Sequence, residues 1–89
     1  MTQNNKPQEG EIYRHYKYNP NGEENNYTYE IIGTCIHTET EDNMVVYKPL
    51  YDSSFIKENN VDFFCRPMSM WNDQIDKIEY SGPRFTKLQ

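Results

Sequence analysis

The sequence predicts a mainly β domain: a small SH3-like barrel, or a strongly curved antiparallel sheet, of five or six strands with one short helical turn. Three observations lead there. Short runs of β-branched and aromatic residues recur along the chain, clusters of Asn, Pro, Gly and acidic residues separate them, and no segment carries an apolar stripe at helical spacing. Gly33 inside one run and Pro67 at the end of another supply bends. Closure of such a sheet would remove the open edges through which β domains aggregate.

A chain of 89 residues holds one core, so a single small β domain is expected over residues 10–89, behind a flexible polar lead-in, residues 1–9. The mean hydropathy is low, −1.06, yet 15% of the residues are aromatic: eight Tyr, four Phe and one Trp. Each buried aromatic removes roughly 150–250 Å² from water, so a few of them replace many missing Leu and Val.

The elements follow in order. "EIYRHYKY", residues 11–18, reads as the first strand, with Ile12, Arg14, Tyr16 and Tyr18 on one face and Tyr13, His15 and Lys17 on the other. "NPNGEENN", residues 19–26, is a turn-rich loop. "YTYEIIGTCIHT" alternates clearly, placing Tyr27, Tyr29, Ile31, Gly33, Cys35 and His37 together, and Gly33 implies a bulge, a bend or the close approach of another backbone. The acidic turn "ETEDN" joins it to "MVVYKPLY" as a hairpin, in which Pro49 must take an edge or a bulge because it lacks an N–H.

In "DSSFIKENN", Phe55 and Ile56 either tuck a loop onto the core or start a helical turn. "VDFFCRP", residues 61–67, is a strand closed by Pro67, and Ser69 in "MSMWNDQID" is placed to cap a short helical turn carrying Met70 and Trp71. "KIEYSGPRFTKLQ" then predicts a strand near Lys77–Tyr80, a Ser-Gly-Pro turn and a last strand near Arg84–Leu88.

Nine Lys and Arg against fourteen Asp and Glu give a net charge of −5. That sign repels phosphate backbones and argues against nonspecific DNA or RNA coating. No apolar run approaches the roughly 20 residues needed to span a bilayer and the N-terminus lacks an apolar signal region, so no membrane association is expected and the cytoplasm is the expected location. Cys35 and Cys65, even with His15 and His37, lack metal-ligand spacing, so neither a metal nor a cofactor is predicted, and both thiols are expected reduced and buried. Gly10, Gly22, Gly33 and Gly82 form no phosphate-binding loop.

Three groups carry candidate chemistry. Tyr13, Arg14, His15, Tyr16 and Lys17 offer stacking faces, a guanidinium and an imidazole; the same alternation would also serve a core that keeps Arg14 and Lys17 wet. His37 with Glu39 and Thr40 supplies the raw material of general acid–base catalysis, or a structural histidine at a strand end. Arg66 and Arg84 each adjoin a proline, whose fixed backbone can aim a guanidinium at a ligand carboxylate or at one of the chain's own acids.

The order of "GEIYRHYK", "YEIIG" leading to "HTET", "VVY" with "LY", "RPMSMW" and "GPRF" resembles a small bacterial family catalogued as domain of unknown function 1653. The resemblance covers about residues 10–86. It matches Tyr13 through Lys17, then His37, Glu39, Thr40, Tyr47, Tyr51, Arg66, Pro67, Met70, Pro83, Arg84 and Phe85. The loop Tyr18–Asn26 and the segment "DSSFIKENNVDFF" are longer than the family's pattern. The resemblance implies no established activity.

Together these readings give a candidate ligand-binding set of Tyr13, Arg14, His15, Tyr16, His37, Glu39, Tyr47, Arg66 and Arg84, with no catalytic residue assigned. The expected function is a binding module for a polar planar or anionic ligand: a nucleobase, an RNA segment or a peptide carboxylate. The alternatives are a small enzyme pairing His37 or His15 with Glu39, toward which the sequence leans least, and a protein–protein interaction domain.

Overall fold

The computed structural model describes residues 6–89. Strands β1 (Ile12–His15), β2 (Thr28–Ile36), β3 (Asn43–Pro49), β4 (Phe64–Pro67) and β7 (Phe85–Lys87) form a five-stranded antiparallel sheet in the order β4-β3-β2-β1-β7. Strands β5 (Gln74–Asp76) and β6 (Ser81–Pro83) form a separate two-stranded sheet, and helices α1 (Ser54–Asn59) and α2 (Met68–Trp71) flank β4 in sequence. The chain is mainly β, as expected, but the described residues form seven strands and two short helices. The ladders leave β4 and β7 as opposite edges, so among the described residues the hydrogen bonding does not close into a barrel.

Register builds the core. Tyr13 faces Tyr29, His15 faces Phe85, and Ile31, Tyr47 and Phe64 line up across three strands. Strand alternation puts all of them on one face, where Tyr29, Ile31, Val45, Tyr47, Trp71 and Phe85 form the buried cluster, with Tyr13, Tyr51, Phe64 and Met68 packed against it. Trp71 stacks on Phe85 with centroids 3.7 Å apart, while Tyr13 and Tyr47 meet the indole edge-on at 5.4 and 4.9 Å. Such aromatic pairs contribute about 0.5–1.5 kcal/mol each beyond their buried area. The face of β1 that carries Tyr13 and His15 is therefore the inner one. Arg14 lies on the other, donating its Nε–H to Thr28 Oγ1 at 2.9 Å and covering the Tyr18 ring at 3.8 Å.

Several local expectations change. β1 ends at His15 because the chain turns there, the Tyr18 N–H donating to the His15 carbonyl; Tyr16 thus leaves the Arg14 face. Between Ile31 and Gly33 the β2–β3 register shifts, which makes the expected bulge. No backbone approaches Gly33, since a Cβ there would meet nothing within 4 Å. Ser53 caps α1, whereas Ser69 lies inside α2, whose N-cap is Pro67.

The segment expected as a strand, Lys77–Tyr80, is the turn of the β5–β6 hairpin, closed by Lys77 N–H to the Tyr80 carbonyl at 2.8 Å. Of the two isoleucines in this hairpin, Ile75 is buried and Ile78 fully exposed. Ser-Gly-Pro, expected as a turn, is β6. It needs Gly82, because a Cβ there would lie 2.9 Å from the Tyr80 hydroxyl. Both cysteines are free but exposed rather than buried, standing opposite Met44 and Val46 on the outer face of the sheet. Of the predicted lead-in, residues 1–5 lie outside the described residues; within the rest, Pro7 is fully buried.

Candidate functional site

A cleft of about 460 Å³ opens where β2, β3 and β4 meet the loop before β2 and the start of α1. Its walls are Tyr27, Tyr29, Tyr47, Tyr51, Phe55 and Phe64, with Arg66 and Glu23 supplying charge. Tyr29 stands nearly perpendicular to Tyr47, at 88°, and to Tyr51, at 72°, so the rings form a box rather than a stack. The Tyr29 and Tyr51 hydroxyls share a hydrogen bond of 3.1 Å. Burial, and then that bond, raise the Tyr29 phenol well above its ordinary pKa, so it stays a neutral donor and acceptor.

Arg66 is the charged group with an open fork. Its Nε–H donates a long hydrogen bond, 3.4 Å, to the Tyr47 hydroxyl, and its guanidinium carbon sits 5.6 Å from the Phe85 ring centre. Among the described residues no carboxylate lies within ion-pair distance of it. Arg84 differs: it pairs with Asp73 at 3.3 Å and donates Nε–H to the Met70 carbonyl, a structural tie between α2 and β7. Glu23 is held in the cleft wall by accepting the Asp52 backbone N–H at 3.3 Å.

Tyr27 adopts φ 55, a left-handed conformation that a bulky side chain rarely takes. Two contacts hold it there: its carbonyl accepts the His15 N–H at 2.8 Å, and its ring stacks on the His15 imidazole at 5.5 Å. The stack continues through Tyr16, 4.6 Å from His15, to Tyr80, 5.2 Å from Tyr16. A column of four rings thus runs from the cleft wall to the β5–β6 hairpin.

Positive charge gathers along this column. His15 Nδ1 accepts the Lys17 N–H at 3.2 Å, and burial, with Arg66, Arg84 and Lys17 nearby, pushes its pKa down to about 4. At neutral pH His15 is an uncharged packing element. Lys77, donating to the Tyr16 hydroxyl at 3.0 Å, lowers that phenol's pKa, and Lys17 and Arg84 act in the same direction.

The predicted site residues therefore separate. Tyr47 and Arg66 line the cleft, and His15 and Tyr16 stand behind its Tyr27 wall. Tyr13 lines a different cleft, its phenol donating to Glu11 at 3.0 Å and pushed up to about 12 by burial and that partner. Arg14 is on the outer face. His37 and Glu39 sit in the exposed β2–β3 turn, where His37 Nδ1 accepts the backbone N–H groups of Glu39 and Thr40, so the contact is a turn and not an imidazole–carboxylate pair. The aromatic cleft residues absent from the predicted set are Tyr27, Tyr29, Tyr51, Phe55 and Phe64. The alternation that groups Tyr27 and Tyr29 was the available signal, while their pairing with β3 depends on the bulge between Ile31 and Gly33.

The model of a family described as protein of unknown function, DUF1653, matches residues 11–87. The crystal structure of a DUF1653 protein from Bordetella bronchiseptica superposes with a TM-score of 0.62 at 28% sequence identity, over 83% of this chain and 78% of that one. No curated protein matches the chain. The aligned fold and the family match over nearly the whole described chain lead to one conclusion: this protein belongs to the DUF1653 family.

Proposed function

We propose that the protein is a non-enzymatic binding module whose tyrosine-lined cleft captures a planar ligand carrying a carboxylate, with Arg66 as the anion anchor. The observation that carries this reading is Arg66 itself: in a chain with fourteen acidic side chains, its guanidinium is held by Tyr47 and Phe85 yet has no described carboxylate partner. A partly buried guanidinium of this kind gains most from a two-pronged carboxylate. Tyr29, Tyr47 and Tyr51 add aromatic edges to the cleft, and the Tyr29 and Tyr51 hydroxyls meet at its wall.

Of a nucleobase, an RNA segment and a peptide carboxylate, the last is favoured. The cleft supplies one arginine and one carboxylate, Glu23, which suits a single anionic end and opposes a phosphate chain. Phe55, 69% exposed beside the cleft, offers a surface for a neighbouring apolar side chain. The reading needs a curved sheet that presents β2–β4 to one side and does not depend on closure into an SH3-like barrel. Two exposed free thiols fit a reducing, cytoplasmic setting.

The test is a titration of the ¹⁵N-labelled protein with N-acetyl-phenylalanine and benzoate, each against its carboxamide. Saturable shifts at Tyr47, Phe64 and Arg66, at least tenfold weaker for the amides and lost in Arg66→Ala, are expected. Equal binding of acid and amide, retained binding in Arg66→Ala, or no binding of either acid at millimolar concentration overturns the proposal.

A further inference from the structure

Of the three strands around the Arg66 cleft, β4 alone is an edge: β3 pairs with one side of it, and among the described residues no strand pairs with the other. An unpaired edge presents backbone N–H and C=O groups to any further strand, and folded domains commonly guard it with charge, proline or a covering segment. The opposite edge, β7, is guarded in this way. Lys87 lies on it, and Arg84 just before it is tied by its N–H to the Asp73 carbonyl at 2.9 Å. On β4 the guard stands at one end, where Pro67 lacks an N–H. Toward the other end Cys65 is exposed, as are Phe63 and Val61, each 46%.

The same strand carries the anion anchor. Phe64 and Arg66, two residues apart, project from one face of β4 into the cleft, and Cys65 projects from the other. A chain laid along this edge would therefore have the cleft beside its own inward-facing side chains. Arg66 has no carboxylate within ion-pair distance among the described residues, so charge complementarity puts an anionic group of the partner there. The ladder cannot continue past Pro67, and α2 follows at once from Met68. A chain terminus ends at that point, whereas an internal Asp or Glu would require the strand to run on. The direction follows too: the residues before the terminus run back along Cys65 and Phe64, parallel to β4, toward the exposed Phe63 and Val61.

We propose that β4 receives the extended C-terminal segment of another protein as a sixth, parallel strand of the sheet, its terminal carboxylate on Arg66 and its last side chain among the cleft tyrosines. This rests on the reading of Arg66 as a carboxylate anchor and adds to it the partner's length, backbone conformation and direction. Main-chain hydrogen bonds to the edge supply affinity, and the cleft, taking alternate side chains, supplies selectivity.

The test compares N-acetyl-phenylalanine with an acetylated pentapeptide, Lys-Thr-Val-Thr-Phe, both as free acids, on the full-length ¹⁵N-labelled protein. The pentapeptide should bind at least tenfold more tightly. It should also slow amide hydrogen exchange at least tenfold at one or more of Phe64, Cys65 and Arg66, which N-acetyl-phenylalanine should not do. Successive N–H groups of a strand point to opposite sides. Of two pentapeptides N-methylated at adjacent peptide nitrogens, one should therefore keep the gain and the other lose it. If N-acetyl-phenylalanine binds through Arg66 but the pentapeptide gains nothing, leaves the β4 amides unprotected, or binds equally in both methylated forms, the edge proposal is overturned and the cleft reading stands. If neither acid binds, or Arg66→Ala binds both as the wild type does, the cleft reading fails and takes this proposal with it. Protection of the β4 amides without peptide, rising with protein concentration, assigns the edge to a second copy of the chain and also overturns the proposal.

Discussion

Acidification removes stability that His15 contributes by staying neutral. Its imidazole is 9% exposed, packed against Tyr16, Tyr27 and Phe85, and its pKa is pushed from 6.5 down to about 4 by burial first, then by Arg66, Arg84 and Lys17. Between those two values the unfolded chain binds the proton that the folded chain refuses, so stability falls as the pH drops from about 6.5 to about 4 and levels off below. At about 1.4 kcal/mol per pH unit the loss is on the order of 3 kcal/mol, a large part of what a domain of this size holds. Glu11, whose pKa is lowered chiefly by the Gln8 backbone N–H, adds a loss of the same sign in stronger acid, starting below its ordinary value of 4.5. The two are separated by comparing urea unfolding of the wild type and His15→Gln at pH 7, 6, 5 and 4. The variant is less stable at pH 7, having lost the ring stack, and its curve should be nearly flat where the wild type falls. Parallel curves, or an imidazole that titrates near 6.5 by NMR, would show that His15 does not carry the acid sensitivity.

Three further outcomes follow from local geometry. Gly82→Ala should cost about 1–2 kcal/mol, since φ 154 strains an L side chain and the new Cβ meets a Tyr80 ring fixed by Tyr16 and by its own bond to the Pro83 carbonyl; the steric part alone should vanish in a Tyr80→Ala background, read by a double-mutant cycle in urea, while the backbone part persists. Gly33→Ala should be neutral or stabilising by about 0.5 kcal/mol, because the bulge leaves open space and no positive φ there; a thermal-melt loss of several degrees would contradict the open bulge. Ser53→Ala should cost about 0.5–1 kcal/mol in chemical denaturation by uncapping α1, at the lower end because its hydrogen bond to Ile56 N–H is 3.5 Å long; an unchanged midpoint would remove the cap from the account.

Sequence reasoning reached the fold class because strand alternation is a local signal. The division of β1 into a face with Tyr13 and His15 and a face with Arg14, and the presence of the β2–β3 hairpin around its acidic turn, could be read locally, whereas which face of β1 is inner could not. What failed was non-local. "KIEY" has strand-like residues, but Ile75 is the buried isoleucine of the hairpin and Tyr80 folds across Gly82, and neither is visible in the segment. The cysteines look apolar, yet β2 and β4 place both on the outer face of the sheet, where they are exposed.

The site was half legible for the same reason. Arg66 stood out beside Pro67, while the rings around it depend on a bulge between Ile31 and Gly33 that slides the register by one residue and brings Tyr47 opposite Ile31. Without that slip, simple counting outward from the turn puts Tyr47 beside the wrong neighbour. Tyr27 reaches the cleft only through a left-handed backbone that no propensity predicts. The His37–Glu39 pair shows the converse, a motif whose spacing suits catalysis and whose imidazole is used by backbone N–H groups of its own turn.

On this reading Arg66 is a poised anion anchor. The most direct measurement is the Arg66 Nε–H resonance, observed in ¹⁵N-arginine-labelled protein during titration with N-acetyl-phenylalanine. A saturable downfield shift that the carboxamide fails to produce, and that Arg66→Lys protein cannot replace with comparable affinity, is the predicted result. An unmoved Nε–H while ligand binds, or equal affinity in the lysine variant, would contradict it.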